Sequence, residues 1–248
     1  MNKSHQVASA NTNSLLQVNL GNTAINNVGL DALNLNATNG SLAIGTVNTV
    51  SLNSAGDDAI DLSATVGSQV RLTGSGVTGA NATANGLLAN ADASRIDVNL
   101  TQVGSFNNAG TDGIQFTGTS GSLVNLVLSG APGSFDGAGA NGINGTLTNS
   151  NGTLNINNIT FRNAVVDALH LNLTNAILAS TITGSDFSRP GPAPSGDDGI
   201  DLSLNGSVAN MHLTNTAINN AGDDAIHVDS INASLLNMKY TGGSLVNA

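Results

Sequence analysis

The sequence predicts an all-β protein, a right-handed parallel β-helix of eight coils of about 27 residues plus a partial ninth. Three observations support this prediction: a five-residue pattern at near-constant spacing, alternation of apolar and polar residues around it, and turns rich in Gly and Asn. Because the alternation has a period of two and no helical periodicity accompanies it, the helical solenoids are excluded.

The repeated pattern is an Asp or Asn, then Ala or Gly, then Ile or Leu, then a variable residue and usually an apolar one. The first residue of each copy is named the anchor. A period of about 27 residues suits a coil of three short strands, each pairing with its equivalent one coil away at roughly 4.8 Å. The anchors are Asp31, Asp58, Asn85, Asp112, Asn141, Asp167, Asp198 and Asp224.

Alternation around each anchor indicates which side chains face inward. The third and fifth residues, such as Ile60 and Leu62, are predicted to stack into an aliphatic core, since the chain has no Trp, one Tyr and five Phe. The second residue is always Ala or Gly, which predicts a column without room for a larger side chain. Asn recurs four residues before the anchor, where it suits a left-handed turn and can bond along a column. This predicts an asparagine ladder of Asn27, Asn81, Asn108, Asn163 and Asn220.

The pattern assigns residues 15–248 to a single β-helix domain, preceded by a polar N-terminal segment, residues 1–14. A proline-rich insertion, residues 185–196, lengthens the coil before Asp198. Solenoids need polar terminal caps, and neither end of the pattern shows one. We therefore expect either a segment of a longer rod or a subunit that associates with itself end to end.

Composition excludes several classes of partner. The net charge is −10, and the six Lys and Arg residues are scattered, which argues against binding to nucleic acid or to anionic membrane. No apolar run approaches the ~20 residues that insertion into a membrane requires. Cysteine is absent, so disulfides and thiolate metal sites are excluded. Scarcity of Lys, Cys and Trp is typical of secreted bacterial fibrous proteins, so we expect an extracellular or cell-surface location.

The fourth residue of each copy faces outward, and three successive copies carry His170, Asp201 and His227 there. Because equivalent residues stack one strand spacing apart, we expect a ladder of alternating imidazole and carboxylate groups. One interpretation is a solvated surface ladder with modest cross-strand attraction. The other is a ligand-binding site, in which two imidazoles and a carboxylate hold a metal ion.

Four aspartates lie beside that ladder, two in each of two neighbouring coils. Closely spaced carboxylates repel unless a hard cation neutralises them, so calcium binding is one interpretation. The other is that they are solvated repeat residues, with the anchor carboxylates capping backbone N–H groups at turns. The four residues are Asp197, Asp198, Asp223 and Asp224.

Two segments of this acidic region form a further motif, Ser-Gly-Asp-Asp-Gly-Ile-Asp at 195–201 and Gly-Asp-Asp-Ala-Ile-His at 222–227. They resemble the aspartate motifs of polygalacturonases, within the pectin-lyase-like superfamily of right-handed β-helices. The resemblance implies an inverting glycoside hydrolase, with Asp198, Asp223 and Asp224 as the general acid and the activators of water. The Gly-His-Gly and Arg-x-Lys motifs of that family have no counterpart in this chain.

These observations favour a non-catalytic extracellular β-helix, a stalk, adhesin-like or surface-binding segment of a larger bacterial surface or secreted protein. Two alternatives stay open. One is a polysaccharide-active enzyme of the pectin-lyase-like group, and the other is a calcium- or carbohydrate-binding module. The expected partner is a polysaccharide or cell-surface glycan, and calcium is the one cofactor considered.

Overall fold

The computed structural model describes residues 6–188 and 198–246, which form a parallel β-solenoid of about nine coils. Each coil contributes one strand to each of two nine-stranded sheets. Sheet A contains β1 (Gln6–Asn11), β3 (Leu33–Thr38), β5 (Ile60–Thr65), β7 (Leu87–Asp92), β9 (Ile114–Thr119), β11 (Ile143–Thr148), β13 (Leu169–Thr174), β15 (Ile200–Asn205) and β17 (Ile226–Ile231). Sheet B contains β2 (Leu15–Ala24), β4 (Leu42–Ser51), β6 (Gln69–Thr78), β8 (Arg95–Ser105), β10 (Leu123–Ser134), β12 (Asn151–Thr160), β14 (Ile177–Thr183), β16 (Val208–Asn219) and β18 (Leu235–Val246).

Each coil has two strands rather than the three expected. The sheet B strands are long and bend at a residue with left-handed backbone, such as Thr49 (φ 55°) in β4 and Gly76 (φ 67°) in β6. A left-handed residue turns the chain sharply, so the part of the strand beyond it runs in a new direction. The third straight run of the coil is therefore the far end of the sheet B strand.

The inward register is confirmed. Ile60 and Leu62 have no exposed surface, and their equivalents in the neighbouring coils pair with them in register. In the last coil, by contrast, Val228 is 38 % exposed, because no further coil covers it. Burial thus comes from stacking of equivalent side chains between coils, as expected for a solenoid.

The sequence predicted a purely aliphatic core, and this prediction is wrong. Four of the five phenylalanines form one buried stack, with successive ring centroids 4.9, 5.4 and 5.3 Å apart. These distances suit stacked or tilted rings, which attract each other beyond their burial. The stacked residues are Phe106, Phe135, Phe161 and Phe187.

The Phe stack helps to explain the small residue after the anchors of the middle coils. A Cβ on Gly113 would lie 2.6 Å from the carbonyl oxygen of Gly142 and 2.9 Å from Cβ of Phe135. A Cβ on Gly142 would likewise lie 3.0 Å from Cβ of Phe161. The predicted lack of room in this column is confirmed, and the aromatic rings account for it in the middle coils.

The predicted asparagine column forms a line of left-handed turns. All five asparagines have φ between 56° and 60°. Asn108 Nδ2 also donates a hydrogen bond to Asn81 Oδ1 at 3.1 Å. Asn tolerates this backbone better than other residues with a side chain, which explains its recurrence at the turn.

A second polar column, of serines at the turn between sheets A and B, was not predicted. The backbone N–H of Ser41 donates to Ser68 Oγ at 3.2 Å, and Ser68 N–H donates to Ser94 Oγ at 3.0 Å. The same bond recurs in other coils, and in one of them the N–H donor belongs to Ala176 instead of a serine. The serines of the inner coils are buried, so the ladder satisfies polar groups that water does not reach.

Two predicted boundaries differ from the structure. Strand β1 lies inside the predicted polar segment 1–14 and pairs in parallel with β3, so the solenoid begins before residue 15. At the insertion, Asp186 bridges Thr160 and Ala217, and Phe187 joins the aromatic stack, so residues 185–188 belong to the coil. Residues 189–197 of the region lie outside the described chain.

Candidate functional site

The anchor side chains form a hydrogen-bond ladder along the solenoid. At each step, Oδ1 of one anchor accepts the backbone N–H of the next anchor at 2.7 to 3.2 Å. The steps connect all eight anchors, from Asp31 to Asp224. Asn85 and Asn141 take part as well as the aspartates, because an amide and a carboxylate offer the same acceptor. The interpretation of the anchors as caps on backbone N–H groups is confirmed.

Two members of the implied catalytic trio belong to this ladder. Asp198 N–H donates to Asp167 Oδ1, and Asp198 Oδ1 accepts the N–H of Asp224, both at 2.9 Å. Burial raises the pKa of the Asp198 carboxyl, and the nearby negative charge of Asp167 raises it further. The side chains of Asp223 and Asp224 are exposed, and Asp197 lies outside the described residues.

The outward ladder has the predicted register. Asp201 pairs with His170 on one side and with His227 on the other. His170 Nδ1 lies 2.8 Å from Asp201 Oδ2 and 3.4 Å from Oδ2 of Asp167, an anchor that the sequence did not place in the site. The contacts of His170 therefore combine the outward column with the anchor column.

His227 lies between two other carboxylates. Its Nδ1 is 3.6 Å from Asp224 Oδ2, and its Nε2 is 3.6 Å from Asp229 Oδ2. The contact with an anchor three residues earlier repeats elsewhere, since Asn34 Nδ2 donates to Asp31 Oδ2 at 3.0 Å. An anchor aspartate thus offers Oδ1 to the backbone ladder and Oδ2 to the outward column.

The carboxylates favour protonated histidines. The hydrogen bond to Asp167 raises the pKa of His170, against the opposing effect of burial, and the charge of Asp201 also raises it. The neighbouring carboxylate of Asp224 likewise raises the pKa of His227. A protonated imidazole neutralises neighbouring carboxylates, so this cluster has an internal source of positive charge.

The same cluster has donors for a metal ion. Asp167, His170 and Asp201 each offer a ligand atom, and these atoms lie within 4.8 Å of one another. Asp167 is buried and the other two are partly buried. An imidazole combined with carboxylates suits zinc or a related transition metal better than calcium, which prefers oxygen ligands only.

A second acidic cluster, near the start of the solenoid, was not among the predicted sites. Asp31, Asp57 and Asp58 also bring ligand atoms within 4.8 Å of one another. Burial raises the pKa of the neighbouring Asp61 to about 7, and the charge of Asp31 adds to this effect. Burial also raises the pKa of Asp58 to about 6, although hydrogen bonds from Asn85 oppose it. The sequence signal for this cluster was the earlier Gly-Asp-Asp at 56–58, which lies one coil after Asp31.

Sheet B carries a separate polar network centred on Asp97. Its carboxylate accepts hydrogen bonds from Arg95 at 2.6 and 2.8 Å, from Gln69 at 2.8 Å and from Asn125 at 2.8 Å. Burial acts to raise the pKa of Asp97, but the hydrogen bond from Arg95 and those from the two amides outweigh it and lower the pKa. These side chains come from three neighbouring coils, so the network ties strands together across the sheet.

Comparisons with protein-family models, with curated proteins and with solved structures found no match. Within the described ranges there is also no helix of the length and apolar character needed to span a membrane. The fold and its ladders define a parallel β-solenoid repeat protein. The narrower resemblance to the pectin-lyase-like superfamily rests on the sequence motifs alone.

Proposed function

We propose that this chain is a non-catalytic structural segment of an extracellular protein, a stalk or adhesin-like part of a larger bacterial surface or secreted protein. The observation that carries the proposal is the anchor ladder. It engages Asp198 and the backbone of Asp224, two members of the trio that a hydrolase would require. Because the same bond recurs between all eight anchors, its first role is to hold neighbouring coils in register.

The surface composition supports a structural role. Only 9 % of residues are charged, and the outward positions of both sheets carry mainly Ser, Thr and Asn. About nine coils at roughly 4.8 Å per coil give a rod about 40 Å long. Such a rod separates what lies at its two ends and presents flat polar faces, on which hydroxyl and amide groups are suited to bind glycans.

The cellular location tests the proposal directly. An antibody raised against the protein should label intact cells of the source organism, or detect the protein in the culture medium. Labelling that requires permeabilised cells, with no protein in the medium, would contradict an extracellular role.

The enzyme alternative is tested with the Asp198→Asn variant. Asn keeps the ladder acceptor, as Asn85 and Asn141 show, so the variant should fold. The proposal predicts no new reducing ends when either protein is incubated with polygalacturonate or related glycans. Release of reducing ends by the wild type and its loss in Asp198→Asn would establish the hydrolase instead.

A second candidate function, binding of a divalent transition metal, is supported by the geometry of Asp167, His170 and Asp201. The matched control is His170→Asn, because Asn144 occupies the same column one coil earlier and bonds to an anchor carboxylate. Zinc should raise the melting temperature of the wild type and leave that of the variant unchanged. Equal shifts in both proteins, or no shift in the wild type, would exclude this site. A matched titration with calcium tests the predicted calcium site at Asp197, Asp198, Asp223 and Asp224.

A further inference from the structure

The two terminal coils of the described solenoid leave core side chains partly uncovered. All the apolar residues that pack against the core without being fully buried lie in these coils. In the first coil, formed by β1 and β2, the largest are Leu16, Val18 and Leu20. In the last coil, formed by β17 and β18, the sheet B residues of this kind are Leu236, Met238 and Tyr240.

The first and last coils also have left-handed residues at equivalent positions. The last coil turns from sheet A to sheet B through Asn232 and Ala233, with φ 53° and 56°, and the first coil through Thr12 and Asn13, both with φ 52°. Asn232 is thus equivalent to Thr12 and Ala233 to Asn13, and in both cases the residue numbers differ by 220. The left-handed bends inside β18 and β2, at residues 242 and 22, have the same offset.

We propose that a second copy of this chain covers these ends, so that chains stack head to tail. In this arrangement β17 and β18 of one copy pair in parallel with β1 and β2 of the next. The inner coils define the register. Val208 pairs with Leu235 in the last two coils and Leu15 pairs with Leu42 in the first two, so Leu235 of one copy should pair with Leu15 of the next. A single offset of 220 residues then aligns both sheets and both kinds of left-handed turn.

This register continues the core across the junction. Leu236, Met238 and Tyr240 of one copy would lie over Leu16, Val18 and Leu20 of the next. Apolar side chains would therefore meet apolar side chains at these three inward positions of sheet B. Burying such surface is the main favourable term in protein association.

The serine ladder also continues in this register. Within the chain, Ser14 N–H donates to Ser41 Oγ and Ser207 N–H donates to Ser234 Oγ, at 3.2 and 3.1 Å. The next step is a hydrogen bond from Ser234 N–H of one copy to Ser14 Oγ of the next. Both serines have the same position relative to their turns, so the ladder needs no change of backbone.

Charge does not oppose the junction. Strands β1 and β2 contain no ionisable residue, and the edge of a sheet without charges is poorly protected against pairing with another chain. In the proposed register the charged Asp229 and Lys239 of the last coil face Ser9 and Asn19 of the next copy. Among the described residues, no pair of like charges meets in this register.

Two variants, each blocked at one end, test both the association and its polarity. Met238→Asp places a charge at the last coil and leaves the first coil intact, and Val18→Asp does the reverse. Sedimentation velocity of the wild type should show mass rising above the 24.6 kDa monomer as concentration increases. Each variant alone should stay monomeric, and an equal mixture should form a dimer with one copy of each.

Three results would overturn the proposal. They are a wild type that stays monomeric at all concentrations, a single variant that still dimerises, and a mixture that stays monomeric although both variants melt cooperatively with wild-type circular dichroism. A monomeric wild type would show that copies of this chain do not cover each other's terminal coils. A dimerising single variant would show that two first coils, or two last coils, pair with each other.

A milder pair of variants tests the register without touching the core. Ser9 is exposed and faces Asp229 of the neighbouring copy in the proposed arrangement. Ser9→Lys should tighten association and Ser9→Asp should weaken it, each by about two- to fivefold in the dissociation constant, with Ser9→Thr as the control. Equal affinities for all three variants would contradict this register.

Discussion

Replacing Asp61 by Asn should stabilise the protein above neutral pH. Burial and the charge of Asp31 raise the pKa of Asp61 from the ordinary 3.8 to about 7. A carboxyl with a raised folded-state pKa retains its proton longer in the folded protein, so its contribution to the free energy of unfolding falls as pH rises from about 4 to 7. The amide introduced by Asp61→Asn would remain neutral at every pH and would still offer an oxygen to the side chain of Asn34.

The magnitude follows from the pKa. Moving the Asp61 pKa from 3.8 to about 7 corresponds to an upper bound of about 4 kcal/mol, at roughly 1.4 kcal/mol per pH unit. Because the side chain still meets solvent, we expect Asp61→Asn to raise the free energy of unfolding by about 1–3 kcal/mol at pH of about 8. Near pH of about 3 the two proteins should be equally stable, because Asp61 is then protonated in both the folded and unfolded states.

The assay is chemical unfolding followed by circular dichroism at several pH values, with Asp201→Asn as the matched control. Asp201 occupies the same outward column, but its Oδ2 lies 2.8 Å from His170. Removing that carboxylate should lower stability, most of all at pH values where His170 is protonated. If Asp61→Asn fails to stabilise the protein at high pH, or if both variants shift stability in the same direction there, the destabilisation attributed to burial of the Asp61 carboxylate beside Asp31 is wrong.

Three further changes test the packing and the ladders by thermal or chemical unfolding. Ala176→Ser should complete the serine column with a bond from Ser150 N–H and add about 1 kcal/mol, whereas Ala176→Val should not. Phe135→Ala should cost about 3–5 kcal/mol, because it opens a cavity between two stacked rings, with Phe135→Leu costing less. Asp112→Ala should cost about 1–3 kcal/mol by removing a buried acceptor, while Asp112→Asn should cost little, and an equal loss in both would contradict the ladder.

The fold could be predicted because every coil requires the same types of residue at equivalent positions. The anchor must accept a hydrogen bond from the next coil, so Asp or Asn recurs. The alternation could be interpreted because equivalent side chains stack. The bend of the sheet B strand was harder to predict, since residues as different as Thr49, Gly76 and Gln102 adopt its left-handed backbone.

The Phe stack had a sequence signal that was missed. Phe106, Phe135 and Phe161 each lie six residues before an anchor. Phe187 belongs to the same stack but lies eleven residues before Asp198, because the insertion separates the two. A column defined by distance from the anchor is therefore lost wherever the intervening loop changes length.

The candidate site was predicted only in part, for a different physical reason. The pairing of His170 with Asp201 follows from strand register alone, and it is confirmed. The approach of Asp167 to His170 depends on the conformation of the turn that carries the anchor, which spacing does not specify. The raised pKa of Asp61 depends first on its burial and then on carboxylates converging from two coils, which no single motif reports.

The two carboxylate oxygens of an anchor aspartate have different roles, one in holding the fold and one in the chemistry of the surface. Oδ1 is engaged by the next coil, so a substitution that removes this acceptor weakens the rod. Oδ2 faces the outward column and meets an amide at Asn34 but an imidazole at His170. The repeat can therefore change the outward residue from coil to coil while the backbone ladder stays intact. Any specific chemistry in this solenoid should thus be sought where the outward residue differs from its neighbours, and Asp198→Asn should leave such chemistry at His170 unchanged.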